Sequence, residues 1–321
     1  MRHVPTLERL PACVTTITDD FSLSVIHGLS RVQKTLPCRF FYDARGSNLF
    51  EEITRLAEYY PTRTEIGILN GCAAEIVDGF SSGDVLLEFG SGSSLKTEIL
   101  LDHIADRITY VPLDVSEAAL ADATARLGER YPELEIRPLV ADFSSLTKLP
   151  NGFRDSRKTG FFPGSTIGNL APNEAITLLS NFRKVLGKQG RLIIGVDLKK
   201  DPRVLVRAYN DASGVTAAFN LNLLARINRE LAGTFDLTAF HHKAIYNPRV
   251  GRIEMHLVSD CMQDATAAGR SFHFNMGESI HTENSYKYTL AEFRELAEKA
   301  GWKANRVWTD DGEQFSVHEL I

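Results

Sequence analysis

Gly90 to Thr97 read G-S-G-S-S-L-K-T, directly after the apolar run Val85–Phe89. A phosphate-cradling loop of the form G-x-x-x-x-G-K-[ST] needs its second glycine where Leu95 stands, and a G-x-G-x-x-G dinucleotide fingerprint needs its third there. Leu95 instead reads as the start of the next helix's apolar face, with Ile99 four residues on, and Lys96 reads by itself as a solvated helix-surface lysine. What survives is a strand ending in an acid (Glu88), a tight Gly-x-Gly turn and a helix start, a geometry that admits a nucleoside without phosphates. The next strand ends in Asp114, placed to accept hydrogen bonds from both ribose hydroxyls. The third ends in Ala-Asp-Phe, where Asp142 can accept from an adenine amino group and Phe143 can stack on the ring. Acids at three successive strand ends suit S-adenosylmethionine, whose sulfonium is a cation, and disfavour a phosphate-bearing cofactor. Each residue also has a plainer reading: the Gly-x-Gly pair as an ordinary βα turn, and Asp114 as a cap for the helix that begins near Ser116.

A second small-residue loop, P-G-S-T-I-G-N-L, follows the fourth apolar run. Gly164 and Gly168 permit unusual backbone angles there, and Asn169 can both donate and accept, in a loop that faces the reacting group in nucleoside-cofactor methyltransferases. The plainer reading is a turn capped by Asn169.

These loops need a scaffold. Short apolar runs at 84–89, 108–114, 134–143, 160–164 and 191–198 alternate with helical patterns, the signature of a parallel sheet with crossover helices. The chain then ends in a helix and two strands around Asp-Asp-Gly-Glu, a hairpin signal. This predicts a doubly wound, Rossmann-like α/β sheet of about seven strands with an antiparallel edge pair. Two stretches break the rhythm: the aromatic-rich segment from Leu36 to Glu65, and residues 201–287, with one long helical pattern followed by the alternating G-R-I-E-M-H-L-V-S-D and S-I-H-T-E-N-S-Y-K-Y. The expected division is 64–200 with 288–321 as the cofactor-binding methyltransferase domain. Residues 11–63 with 201–287 form an α+β cap, inserted after the fifth strand and set over the carboxyl edge of the sheet.

Composition bounds the rest. The chain has 321 residues and a net charge of −5, with no long basic run, so a nucleic-acid partner is not expected. No apolar stretch reaches the length of a membrane span, and the N-terminus lacks a continuous signal-like apolar region. Cys13, Cys38, Cys72 and Cys261 form no C-x-x-C pair, which fits a reduced, cytoplasmic setting. His241, His242, His273 and His281 lack ligand spacing with acids or cysteines, so no metal is expected.

The segments F-F-Y-D-A-R-G-S-N-L-F-E-E-I-T-R-L-A-E-Y-Y-P-T-R-T-E, E-F-G-S-G-S-S-L-K-T, P-G-S-T-I-G-N-L, R-A-Y-N-D-A-S-G-V-T-A-A-F-N, R-I-E-M-H-L and H-T-E-N-S-Y-K-Y together resemble the histidine Nα-methyltransferases of ergothioneine biosynthesis, in the same order from about Pro37 to the C-terminus. Departures are Ala57, where the family usually has proline, and Cys38-Arg39 in place of a lysine-aromatic pair. The resemblance implies S-adenosylmethionine-dependent trimethylation of the α-amino group of L-histidine to hercynine. It implies that Tyr42 lies beside cofactor and amine, and that Tyr59 and Asn169 hold the amino-acid main chain, with Gly164 and Thr166 lining that pocket. It places Tyr209 toward the carboxylate, Glu283 and Ser285 on the imidazole, and Met255 against the ring. Gly90, Lys96, Asp114, Asp142 and Phe143 match the family's cofactor positions. Tyr42 and Asn169 would be the catalytic pair, aiming the amine lone pair; the enzyme is expected to act as a monomer. The rival reading is an N-methyltransferase of another free amino acid, tryptophan or tyrosine, which would keep the cofactor motifs and change Met255 and Glu283.

The residues support part of this independently. Glu283 and Ser285 are two apart in an alternating stretch, so they share one face of a strand. A carboxylate beside a hydroxyl can satisfy both ring nitrogens of an imidazole. Met255 alternates with Ile253 and Leu257, which taken alone reads as ordinary core.

Overall fold

The structure, a computed structural model, describes residues 8–9, 17–92, 94–150, 152–153 and 156–321. Cys13, Ser93 and residues 11–16, with which the second expected domain opens, lie outside them. The chain forms two compact units, one built mainly from Arg63–Leu198 and Tyr288–Ile321 and the other from residues up to Thr62 with Lys199–Lys287.

The first unit is built on parallel strands β1 (Asp84–Phe89), β2 (Ile108–Asp114), β3 (Leu139–Val140), β4 (Lys158–Phe162) and β5 (Arg191–Asp197). Every residue of β1, β4 and β5 is buried, which is why these runs are mainly apolar rather than alternating. The sheet order is Glu8–Arg9, β3, β2, β1, β4, β5, Phe315–Leu320, Ala304–Thr309, with Glu135–Ile136 also on β2. Among the described residues the sheet has nine strands rather than about seven: the expected third strand is two short pieces flanking Arg137-Pro138, and Glu8–Arg9 adds an edge. Proline cannot donate to a ladder, so the strand breaks where it stands. The terminal strand Phe315–Leu320 runs antiparallel to β5 and pairs with Ala304–Thr309 in a hairpin. Its turn is fastened by Asp310 Oδ1, which accepts from the Gln314 and Phe315 amides at 2.8 Å each.

The strand order reverses between β1 and β4, so the loops that follow them diverge at a switch point, where open α/β sheets bind ligands. Those are the two glycine loops. The helix after β1, Leu95–Ile104, buries Thr97, Leu100, Leu101 and Ile104. Leu95 does not begin that face: it is 53% exposed. The buried residues recur at i, i+3, i+4 and i+7, and Leu95 falls outside their stripe. The helix after β4 spans Pro172–Leu186 and stops at Gly187, φ +80°.

The second unit has an antiparallel core of β6 (Phe240–Asn247), β7 (Arg252–Ser259) and β8 (Ser279–Tyr286), with Lys34–Thr35 parallel on β8. The single long helical pattern resolves into two helices, Pro202–Ala208 and Val215–Glu230. Gly214, φ +74°, turns the chain between them, and Asp211 accepts from the Val215 and Thr216 amides at 3.0 and 2.8 Å. Phe41, Phe219, Leu223, Ile227, Ile253, Leu257 and Ile280 are all within its core.

Candidate active site

In the first unit, the loop after β1 is set by Gly90, φ +72°. A side chain there would be strained, and its Cβ would stand 3.2 Å from the Phe143 ring. Glycine therefore lets Phe143 close over the loop. Phe143 packs edge-on against Phe162 and Phe182, at 5.3 and 6.3 Å between centroids. Asp114 accepts from the Gly92 amide and from the Ser116 amide, both at 2.9 Å. One carboxylate thus ties the glycine loop to the start of the next helix, whose N-cap is Ser116. Asp142 is exposed and accepts from the Ser144 amide at 2.8 Å.

Glu88 does not join these acids. It is 1% exposed and its carboxylate receives the Tyr110 hydroxyl. Burial pushes its pKa up to about 7, against the hydroxyls of Tyr110, Thr97 and Ser94, which favour the charged form. The acid at the end of the first strand is a core group, and two strand ends rather than three present carboxylates.

The loop after β4 turns through Gly164 (φ +85°) and Ser165 (φ +57°) into the 3-10 turn Thr166–Asn169. Its anchor is Glu65, a residue that sequence reasoning passed over. Glu65 is 1% exposed, accepts the Gly164 amide at 2.8 and 3.0 Å, and pairs with Lys96 at 2.5 Å. Lys96 is therefore not a solvated helix lysine. Its charge offsets a buried carboxylate that holds the second glycine loop. The one available signal was P-T-R-T-E, a charged residue on a helix that packs against Gly195, where an added Cβ would fall 2.0 Å from Glu65 Oε1. Thr166 Oγ1 donates to the Pro163 carbonyl at 3.3 Å. The Asn169 side-chain amide has no hydrogen-bond partner among the described residues. With Lys96 taken up by Glu65, this end of the sheet offers glycine backbone, carboxylates and an aromatic edge. That donor set fits a cationic, phosphate-free nucleoside.

In the second unit, the F-F-Y-D-A-R-G segment is explained residue by residue. Phe40 and Phe41 are buried, and Asp43 caps the helix Ala44–Arg55 by accepting the Gly46 amide at 2.7 Å. Asn222 and Arg229 donate to the same Asp43 carboxylate. A Cβ on Gly46 would lie 1.7 Å from the Phe41 carbonyl oxygen. Tyr42, 37% exposed, lies outside the buried pair Phe40 and Phe41. Tyr42 meets Phe50 and Phe219 edge-on at 5.6 and 5.8 Å, Phe50 meets Tyr59 at 6.3 Å, and Tyr59 meets Tyr209 at 6.2 Å. The result is a continuous aromatic wall. Loss of solvation and then the Glu283 carboxylate hold the Tyr42 phenol well above its ordinary pKa, so it is neutral.

Glu283 and Ser285 share a face of β8, and register places Met255 directly opposite Glu283 and Ile253 opposite Ser285. Opposed side chains of this kind have Cβ atoms about 5 Å apart. Just past Met255 the pairing slips by one residue. At that bulge Thr282 Oγ1 lies 3.1 Å from the Met255 carbonyl and 2.7 Å from Asn220 Oδ1, so the freed groups find partners. Met255 is 2% exposed. The partly buried Glu283 carboxylate has no hydrogen-bond partner among the described residues. Burial raises its pKa to about 7, and the Lys287 ammonium opposes the rise. Ser285 and Tyr209 hydroxyls meet at 2.7 Å, so the Tyr209 oxygen is engaged at the Ser285 end.

Strand pairing gives the histidines partners that linear spacing hides. His241 meets Asp260 at 2.6 Å and His273 meets Asp264 at 3.0 Å. His281 stacks on His256 across the strands at 4.7 Å, and one ligand atom from each, with one from Glu254, falls within 4.8 Å of the others. The spacing argument against metal ligation therefore fails for His281. Cationic side chains also surround this cluster. Glu254 is already held by Asn247 and Arg252, which, against burial, keep its pKa at about 2. Lys243 and Arg252 add positive charge around His256, whose pKa burial lowers. A further cation would meet repulsion from both.

Comparison with known proteins covers most of the chain. A family profile described as histidine-specific methyltransferase, SAM-dependent, matches residues 21–321. The histidine N-alpha-methyltransferase of Mycolicibacterium smegmatis is 44% identical, over 90% of this chain and 91% of the relative. That of Mycobacterium tuberculosis is 42% identical, over 91% and 92%. The ergothioneine biosynthesis protein 1 of Neurospora crassa is 31% identical over 89% of this chain and 33% of that longer protein. The chain belongs to the histidine-specific, S-adenosylmethionine-dependent methyltransferase family.

Proposed function

We propose that this enzyme transfers three methyl groups from S-adenosylmethionine to the α-amino nitrogen of L-histidine, forming hercynine, as the first step of a route to ergothioneine. The observation that carries the substrate assignment is the Glu283 carboxylate, partly buried, without a hydrogen-bond partner among the described residues, opposite Met255 and beside Ser285 on one strand face. Such a group costs free energy unless a ligand N–H meets it. Imidazole does so; an indole or phenol would not use the same pair.

S-adenosylmethionine supplies a methyl carbon activated by its sulfonium. Asp114, Asp142, Phe143, the Gly90 turn and Lys96, through its pairing with Glu65, form the part of the chain assigned to holding it. Asn169, with Gly164 and Thr166, is assigned to the amino-acid main chain, together with Tyr59. Tyr42 and Asn169 aim the amine lone pair. Displacement at a sulfonium methyl needs no covalent intermediate with the protein, so the work is positioning, which supplies up to about 7–11 kcal/mol. The Tyr42 phenol is held neutral, so it can accept from or donate to the amine without carrying charge. As methyls accumulate, the substrate becomes a cation that makes no hydrogen bonds, and the Tyr42 and Tyr59 faces can attract it. No histidine or carboxylate is required as a strong base.

The test is incubation with S-adenosylmethionine and each of the twenty amino acids, followed by mass spectrometry. Histidine alone should gain three methyl groups, all on the α-nitrogen. Preference for tryptophan or tyrosine would overturn the assignment.

A further inference from the structure

Behind Ser285 lies a fully buried cation that the proposed reaction has not used. Lys287 is 2% exposed. Its ammonium donates to Ser285 Oγ at 2.8 Å and to the Tyr209 hydroxyl oxygen at 3.0 Å, and those two hydroxyls are 2.7 Å apart. Lys287 also opposes the charge of Glu283. Three polar groups thus meet within 3.0 Å of one another, two residues along the strand from a carboxylate.

An ammonium has hydrogens to give and no lone pair. Both hydroxyl oxygens therefore accept from Lys287, and one hydroxyl hydrogen bridges the Tyr209–Ser285 pair. A phenol is far more acidic than an alcohol, so we assign Tyr209 as the donor to Ser285. Ser285 Oγ then accepts twice, from Lys287 and from Tyr209, and its own hydrogen must point to a third group that accepts. Glu283, two residues along the same strand face, has no hydrogen to give when ionised and can only accept.

We propose that Lys287 is a positioning residue that fixes Ser285 as a donor and leaves Glu283 an acceptor, so that the pocket takes the neutral imidazole ring in a single tautomer. The inference rests on the reading of this site as one for histidine and adds which form of the ring is bound and what selects it. A ring with an N–H and no basic nitrogen leaves the Ser285 hydroxyl unmatched. A ring with a basic nitrogen and no N–H leaves Glu283 unmatched.

The experiment compares L-histidine with the two pyrrolylalanines, which carry an N–H without an acceptor, and the two thiazolylalanines, which carry the acceptor without an N–H. The full chain and its Lys287→Met, Lys287→Arg and Ser285→Ala variants are assayed at saturating S-adenosylmethionine. The wild type should favour histidine over either analogue class by about 100-fold or more in kcat/KM. Lys287→Met should raise the histidine KM by roughly tenfold or more, with kcat changed much less and the S-adenosylmethionine KM unmoved. It should also shrink the preference over the pyrrolylalanines specifically, as should Ser285→Ala, while Lys287→Arg restores part of it. A folded Lys287→Met enzyme with unaltered preference would overturn the proposal. So would a uniform loss on histidine and all analogues, which marks a merely structural lysine, or a wild type that accepts pyrrolylalanines as well as histidine. Should Lys287→Met fail to fold, Ser285→Ala and the wild-type analogue series decide alone. A wild type inactive on histidine would instead sink the histidine reading itself.

Discussion

At the scale of single residues, the chemistry turns on groups held short of their own partners. Glu283 is the clearest. Burial pushes its carboxyl up to about 7, against an ordinary 4.5, and outweighs the Lys287 ammonium. The raised value means that folding favours the protonated form. Its contribution to stability is complete below about pH 4.5, fades as pH rises toward 7 and is lost above that. The ligand-free wild type should therefore lose Tm across that window, and Glu283→Gln, which does not titrate, should flatten the loss. Parallel Tm profiles for the two proteins would show that the carboxyl is not desolvated. Asn169 is the second such group. If its amide grips the main chain, Asn169→Ala should cut kcat/KM by about tenfold or more for histidine and for any slow alternative amino acid alike, because the lost bonds do not involve the side chain. Selective loss with histidine alone would contradict that role.

At the scale of elements, the parallel strands, the two glycine loops and the shared face of Glu283 and Ser285 are written in local patterns, because alternation and apolar runs are short-range properties. What joins them is not local. Met255 faces Glu283 only through the register of β7 and β8, and a bulge next to it shifts that register by one. Lys96 looks solvated because Glu65, its partner, lies on another helix. Glu88 looks like a strand-end ligand because nothing in its neighbourhood shows Tyr110 reaching over from β2. His281 looks isolated because His256 is on the opposite strand. Lys287 reads as one more lysine at the end of a strand, and only packing shows it sealed beneath two hydroxyls. The Lys96–Glu65 pair carries its own consequence. Lys96→Met leaves a buried carboxylate uncompensated and should cost on the order of 3 kcal/mol. Adding Glu65→Gln should recover part of the loss, since an amide oxygen still accepts the Gly164 N–H. Denaturant unfolding of the single and double variants measures this, and additive losses would refute the coupling.

At the scale of the whole molecule, the proposed roles fall on two compact units. The unit with the parallel sheet carries the residues assigned to the methyl donor, and the unit with β6, β7 and β8 carries those assigned to the histidine ring. No helix among the described residues is long and apolar enough to cross a membrane. Because Lys96 is committed to Glu65 and the strand ends present carboxylates, S-adenosylmethionine should raise Tm and ATP with magnesium should not. Stabilisation by the nucleotide alone would reverse the reading of the first glycine loop. The claim on which the account depends is that the Glu283 carboxylate reads a ring N–H while taking no part in holding the methyl donor. The most direct measurement is the pair of constants for Glu283→Ala, kcat/KM for histidine and Kd for S-adenosylmethionine. The account predicts a fall of about 100-fold or more in the first with the second essentially unchanged; unaltered histidine kinetics in a folded variant would contradict it.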